Sequence, residues 1–196
     1  KFNSISNFLA IFDKPDGKLK KHSKPISLIG GLVIITNVYL IIFLLGFFNI
    51  YPIFESQFLF SVIILSTLFY LIGLIDDLKN LTPNIKLLLL LFSISSVIHF
   101  FPELKLDIIK ISFLDKVYYF KEYSSLFIIL SFLLLANAIN MFDGINLQLI
   151  LFSSIIFILF ILKGFIPIFF ILLLICFTFL GILNYQNKVF LGDGGA

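Results

Sequence analysis

Two adjacent carboxylates, Asp76 and Asp77, close a long apolar run that ends Leu71-Ile72-Gly73-Leu74-Ile75. At a helix C-terminus they repel each other and face the negative end of the dipole. Either they stop a helix at an interface, or they hold a metal ion or serve phosphate transfer. Asp-Asp-Leu-Lys-Asn lacks the third acid of a prenyl-diphosphate Asp-x-x-x-Asp repeat. Pro83 opens the next helix and puts Lys86 in its first turn, where the N-terminus is already positive. That corner can bind an anion such as a diphosphate; the plain alternative is a lysine snorkelling to headgroups. Asn137, Asn140 and Asp143 are spaced three apart and make one polar stripe on a helix. Such a stripe can hold a metal, a ribose or a base, or can hydrogen-bond neighbouring helices in a membrane bundle. Asp193 lies in Gly192-Asp193-Gly194-Gly195, where the glycines expose its carboxylate and let a ligand approach the backbone. On its own this could be an ordinary turn.

The elements that must position these groups are set by composition. Of the 196 residues 60% are hydrophobic and 13% are charged, about half the ~25% charge of soluble domains. Mean hydropathy is +1.14. A soluble core of this size cannot hide that much apolar surface, and a disordered chain would be polar. The fold class expected is an all-α integral membrane protein, a polytopic bundle. Its spans are read at Leu28–Phe48, Phe58–Ile75, Leu87–Phe101, Leu126–Ile139, Leu149–Leu162 and Phe165–Leu183, the fourth and fifth being short for a span. Between Leu104 and Tyr123 apolar and polar residues alternate with a period of two, which predicts a small β-hairpin. Lys1 at one end and a glycine-rich turn at the other suggest a single membrane domain, 1–196, truncated at both ends. The lone Cys176 allows no intramolecular disulfide. A net charge of +3 without a basic face speaks against nucleic acid as a partner.

Six spans place 1–27, 76–86, 137–148 and 184–196 on one side and 102–125 on the other. The first side carries nine of the fourteen lysines, so the positive-inside rule makes it cytoplasmic and 102–125 extracytoplasmic. His22, behind Lys18, Lys20 and Lys21, reads as part of a lipid-headgroup patch. His99, with no acid nearby in sequence, reads as a core histidine. Parity also gathers Asp76, Asp77, Asp143, Asp193, Lys86 and the asparagines at one membrane face. There is no Cys/His cluster for zinc, and oxygen ligands suit Mg²⁺ or Mn²⁺. A metal, a lysine and acids at a membrane interface fit phosphoryl transfer between a lipid phosphate and a water-soluble nucleotide. The alternative is a non-catalytic scaffold or an ion-coupled transporter. That would spread its acids through the membrane depth.

Four ordered blocks resemble the polyprenyl-phosphate N-acetylhexosamine-1-phosphate transferase family. They are Asp13-Lys14-Pro15 with Lys20-Lys21-His22 and Pro25…Gly30-Gly31; Ile72 to Pro83 through Lys86-Leu87-Leu88; Asn137-Ala138-Ile139-Asn140-Met141-Phe142-Asp143-Gly144-Ile145-Asn146; and Phe190-Leu191-Gly192-Asp193-Gly194-Gly195. The first block is closer to the GlcNAc-1-phosphate branch than to the peptidoglycan precursor translocase. The resemblance implies transfer of HexNAc-1-phosphate, GlcNAc-1-phosphate first among the donors, from a UDP-sugar to polyprenyl phosphate. The products are polyprenyl-diphosphate-HexNAc and UMP, which would start a cell-surface polysaccharide such as O-antigen at the bacterial cytoplasmic membrane. It implies Mg²⁺ (or Mn²⁺) held by Asp193 and Asn140. It places Asp76, with Asp77 beside it, at the lipid phosphate, Lys86 on the diphosphate and Asp143 at the nucleotide. Phe190 would stack on uracil and Asn146 bond its edge, with Asn137 and His22 also on the substrate side. Partners implied are the UDP-HexNAc, the polyprenyl phosphate and the bilayer, and a homodimer stays open. One departure is the end of the third block. Many bacterial members have Asp-Gly-x-Asp-Gly-Leu there, and Gly144-Ile145-Asn146-Leu147-Gln148 replaces its end.

Overall fold

The computed structural model describes residues 6, 9, 11–13, 24–50, 57–111, 116–143 and 146–196. His22, with Lys18, Lys20 and Lys21, lies outside the described residues, and so do Gly144 and Ile145. Among the described residues six long helices follow one another: α1 (Gly30–Phe47), α2 (Gln57–Lys79), α3 (Pro83–Phe100), α4 (Ser124–Phe142), α5 (Gln148–Leu162) and α6 (Pro167–Tyr185). They are apolar on every face, which is the pattern of helices immersed in lipid. Phe92 and Phe100 of α3, Leu134 of α4 and Leu162 of α5 are each more than two-thirds exposed on the outside of the bundle.

Five of the helices are long and apolar enough to cross a membrane: Gly30–Phe47, Leu59–Lys79, Pro83–Phe100, Lys121–Phe142 and Pro167–Tyr185. The span expected at Leu149–Leu162 differs. The segment α5 has only 15 residues, a rise of about 22 Å against the ~30 Å of a hydrocarbon core. It works with α6 as a helical hairpin. The backbone N–H of Leu147, just before α5, donates to Asn184 Oδ1 near the end of α6 at 2.8 Å. The two helices therefore carry the chain out and back to its starting face.

Packing divides the bundle in two. Ile29, Leu149, Ile150, Cys176, Phe177, Leu180 and Leu183 form a core among α1, α5 and α6. Leu65, Ile72, Leu90, Ile94, Val97, Ile128 and Leu133 form another among α2, α3 and α4. A smaller cluster of Ile41, Ile42, Leu45 and Leu173, with Leu59 and Ile63 against it, joins them.

Among the described residues there are also two small antiparallel sheets. One pairs β1 (Phe12–Asp13) with β2 (Ile26–Ser27). The other is the hairpin expected from the alternation. Strand β3 (Ile108–Ile111) faces β4 (Lys116–Tyr119), with Ile108 opposite Tyr119 and Ile111 opposite Lys116. Its base is tied to α4 by the buried Ser124, whose hydroxyl donates to the Leu106 carbonyl at 2.9 Å. His99, expected in the core, is exposed near the end of α3 beside the Phe100 ring. One position short of the helix end, its imidazole reaches past the packed interior.

Candidate active site

The turn between α2 and α3 is built by its own sequence. Asn80 adopts a left-handed conformation, φ 50°, and ends α2, while Pro83 stands in the first turn of α3. Asp76 fastens the turn through one carboxylate oxygen, since Leu81 N–H donates to its Oδ1 at 2.7 Å. Its other oxygen meets the Lys86 ammonium at 2.8 Å. The turn thus brings an acid and a base ten positions apart into contact, with Asp76 only 8% exposed.

Lys86 also reaches Asp193 Oδ2 at 3.1 Å. Asn140, near the end of α4, completes the group. With its amide turned so that both ends find partners, its nitrogen donates to Asp193 Oδ1 at 3.2 Å and its oxygen faces Lys86 Nζ. Four segments (the ends of α2 and α4, the start of α3 and the loop after α6) therefore converge on one ammonium. Asp143 caps α4 close by. Its carboxyl is pushed up to about 7, first by burial and then by the charges of Asp193 and Asp77. The carboxyl of Asp193 is raised as well, by burial and by its hydrogen bond with Asp76, against the pull of Lys86. The common cause is an excess of buried negative charge over one lysine.

The loop that presents Asp193 is laid across the seam between the two halves of the bundle. It runs backbone to backbone with the N-terminus of α1. Phe190 N–H donates to the Ser27 carbonyl at 2.8 Å, Gly30 N–H to the Phe190 carbonyl at 3.0 Å, and Gly31 N–H to the Leu191 carbonyl at 2.9 Å. A Cβ on Gly30 would stand 2.7 Å from Leu191 Cα, and one on Gly31 2.5 Å from the Gly194 carbonyl carbon. On the other side, a Cβ on Gly73 of α2 would overlap the Asp193 carbonyl. Three glycines in two distant blocks are thus the walls of a slot for the fourth block. Asp77 bonds the loop within the slot, accepting the N–H of Asp193 at 2.9 Å and of Gly194 at 3.1 Å.

Other expected site residues lie apart from this cluster. Asn137 is exposed one turn before Asn140 on α4. Asn146 donates to Asn187 Oδ1 at 2.6 Å, beyond the end of α6. Phe190 is half-buried, and its backbone is engaged with Ser27 and Gly30. A residue that sequence reasoning did not single out is Asn184. It is 5% exposed, accepts from Leu147 N–H and donates to the Val189 carbonyl at 3.3 Å, so it links the third block to the fourth. The signal available was a lone asparagine at the end of an apolar run. Asn184→Ala is expected to leave Leu147 N–H and the Val189 carbonyl without this partner. The cost is about 1–3 kcal/mol for an unsatisfied buried group, seen as a lowered unfolding midpoint in detergent.

The sequence profile of glycosyl transferase family 4 matches residues 59–196, which include α2 from Leu59 onward, α3 to α6 and the loop carrying Asp193. No curated protein matches the chain. The matched stretch exceeds half the chain and contains every side chain that meets at Lys86, so the protein belongs to glycosyl transferase family 4, phospho-sugar transferases that act on polyprenyl phosphate at membranes.

Proposed function

We propose that the protein transfers HexNAc-1-phosphate, with GlcNAc as the sugar, from the UDP-sugar to polyprenyl phosphate. An oxygen of the lipid phosphate bonds to the sugar-linked phosphorus while the bond to the bridging oxygen breaks. UMP leaves, and polyprenyl-diphosphate-HexNAc remains in the membrane. The observation that carries this reading is the convergence of Asp76, Asn140 and Asp193, from three segments, on Lys86 of a fourth. Phosphoryl transfer asks chiefly for placement and for charge to stabilise spreading negative charge, and this cluster can supply both.

Family members are generally divalent-metal dependent. Among the described residues no three Asp, Glu, His or Cys side chains meet at one point. Two carboxylates and an amide oxygen nevertheless surround an ammonium, a cation held by oxygen atoms alone. That donor set fits Mg²⁺ or Mn²⁺, since Mg²⁺ needs only one or two carboxylates beside substrate phosphates. Asp193 and Asn140 would hold it. When bound, such an ion neutralises charge on the phosphates. Lys86 would hold the donor diphosphate, and Asp76 would keep its ammonium oriented and border the lipid phosphate. Asp77 completes the acidic pair beside them. Asp143, with Asn146, Phe190, Asn137 and His22, would border the nucleotide and sugar. The lysine asymmetry supports a site at the cytoplasmic face, and the membrane proposed is a bacterial inner membrane. The segments 76–86, 137–148 and 184–196, helix ends together with the turns that follow them, would then form the reactive side and 102–125 the far side.

The test is transfer of label from radiolabelled UDP-GlcNAc into the lipid phase, by the intact protein in membranes with polyprenyl phosphate and Mg²⁺. Label in lipid with equimolar UMP is expected. Transfer from a different UDP-HexNAc would change the sugar and keep the reaction. No UMP from any donor would refute the reading.

A further inference from the structure

We infer that Asp77 is a positioning residue. It is the latch that holds the Asp193 loop in its glycine slot. Its position at the C-terminal end of α2 is unfavourable for an anion, because the helix dipole is negative there and Asp76 is adjacent. A carboxylate in such a place needs donors, and it takes two backbone N–H groups, those of Asp193 and Gly194. Both of its oxygens are engaged this way. In Asp76, by contrast, one oxygen meets a charged side chain. Gly192 is part of the same device. It sits at φ +71°, and a Cβ there would be 2.7 Å from Asp77 Oδ2. The latch works against a wall, because Gly73 is one helical turn before Asp77 and its missing side chain leaves room for the Asp193 carbonyl. The carboxylate of Asp193 is therefore aimed by bonds to its own backbone. The two acids of the pair have separate tasks: Asp76 orients Lys86 and Asp77 orients Asp193.

The latch is a statement about loop geometry. The catalytic consequence of losing it rests on the proposed transferase reading. Asp77→Asn replaces one acceptor by an NH₂ that faces a backbone N–H. Gly73→Ala pushes the same loop from one helical turn earlier on α2, at the Asp193 carbonyl and the Gly194 N–H, and leaves the Asp77 carboxylate unchanged. In the intact protein in detergent, hydrogen exchange of a peptide covering 190–196 is expected to accelerate about tenfold or more in Asp77→Asn, from loss of a charge-assisted bond. Exchange within α3 should stay unchanged. Gly73→Ala should accelerate the same peptide. In the transfer assay both variants should lower kcat, with KM for each substrate within about twofold, because binding groups stay while Asp193 loses its aim. The double variant should be no slower than the slower single one, since both act through one loop. If Asp77→Asn leaves exchange at 190–196 unchanged while transfer is lost, the latch is refuted and Asp77 acts on substrate. If Gly73→Ala accelerates exchange and Asp77→Asn does not, the latch is refuted likewise. Faster exchange in both variants of a protein that transfers no sugar phosphate would uphold the latch and sink the transferase reading.

Discussion

Asp193→Asn is expected to reduce transfer by on the order of 10²–10³-fold, the range seen when one fixed charge-stabilising group is removed from a site. The substitution is nearly isosteric and leaves the backbone N–H groups of residues 193 and 194 free to bond Asp77 as before. Lys86 keeps its 2.8 Å pair with Asp76. The loop should therefore stay in its slot between Gly31 and Gly73, and the loss should be chemical. What disappears is the anionic oxygen that meets Lys86 and, in the proposed reaction, the metal ion. Initial rates of label transfer measure the effect. Unchanged size-exclusion behaviour and unfolding midpoint show that the fold survives. A variant with more than a tenth of normal activity would remove Asp193 from the reaction.

Lys86→Gln is the second large effect, and it acts on both rate and stability. Losing the ammonium should slow transfer by a similar 10²–10³-fold if it steadies the diphosphate. It also leaves Asp76 and Asp193 facing each other without their common cation. Breaking a fully buried pair costs about 3–5 kcal/mol. Here the Lys86 side chain is 19% exposed and that of Asp193 35%, so water screens part of the charge and the cost is smaller. The distinctive expectation concerns metal. An ion that takes the ammonium's place among the same oxygens should raise the unfolding midpoint of Lys86→Gln more than that of the parent protein. Thermal unfolding with and without Mg²⁺ reads this directly. Equal shifts in the two proteins would mean that lysine and metal do not share a position.

Much of the architecture was legible because it depends on neighbours in the chain. Long apolar runs become helices in a membrane because each must satisfy its backbone internally. The alternation around Lys105-Leu106-Asp107-Ile108 produced the hairpin because side chains of a strand alternate between faces. Pro83 marked the start of α3 for a similarly local reason. Boundaries were read less well. The helix α4 runs through Asn137 and Asn140 to Phe142, past the end of the span read at Leu126–Ile139. Asparagines spaced three apart can sit on one helix face without breaking the helix. The segment α5 looked like a span by composition and is too short by length.

By itself the sequence determined that the chain is a membrane bundle, that its acids, amides and Lys86 occupy a few polar blocks, and in what order these blocks occur. These are properties of composition and short-range period. Only the tertiary structure decided which of these groups meet. Asp77 and Asp193 are 116 positions apart, and nothing between them encodes a 2.9 Å bond. It follows from how α1, α2 and the loop after α6 pack across glycines. The close approach at Gly30, Gly31 and Gly73 is a fit of one backbone against another. A sequence records such a fit only as the absence of a side chain, so it becomes visible when both backbones are in place.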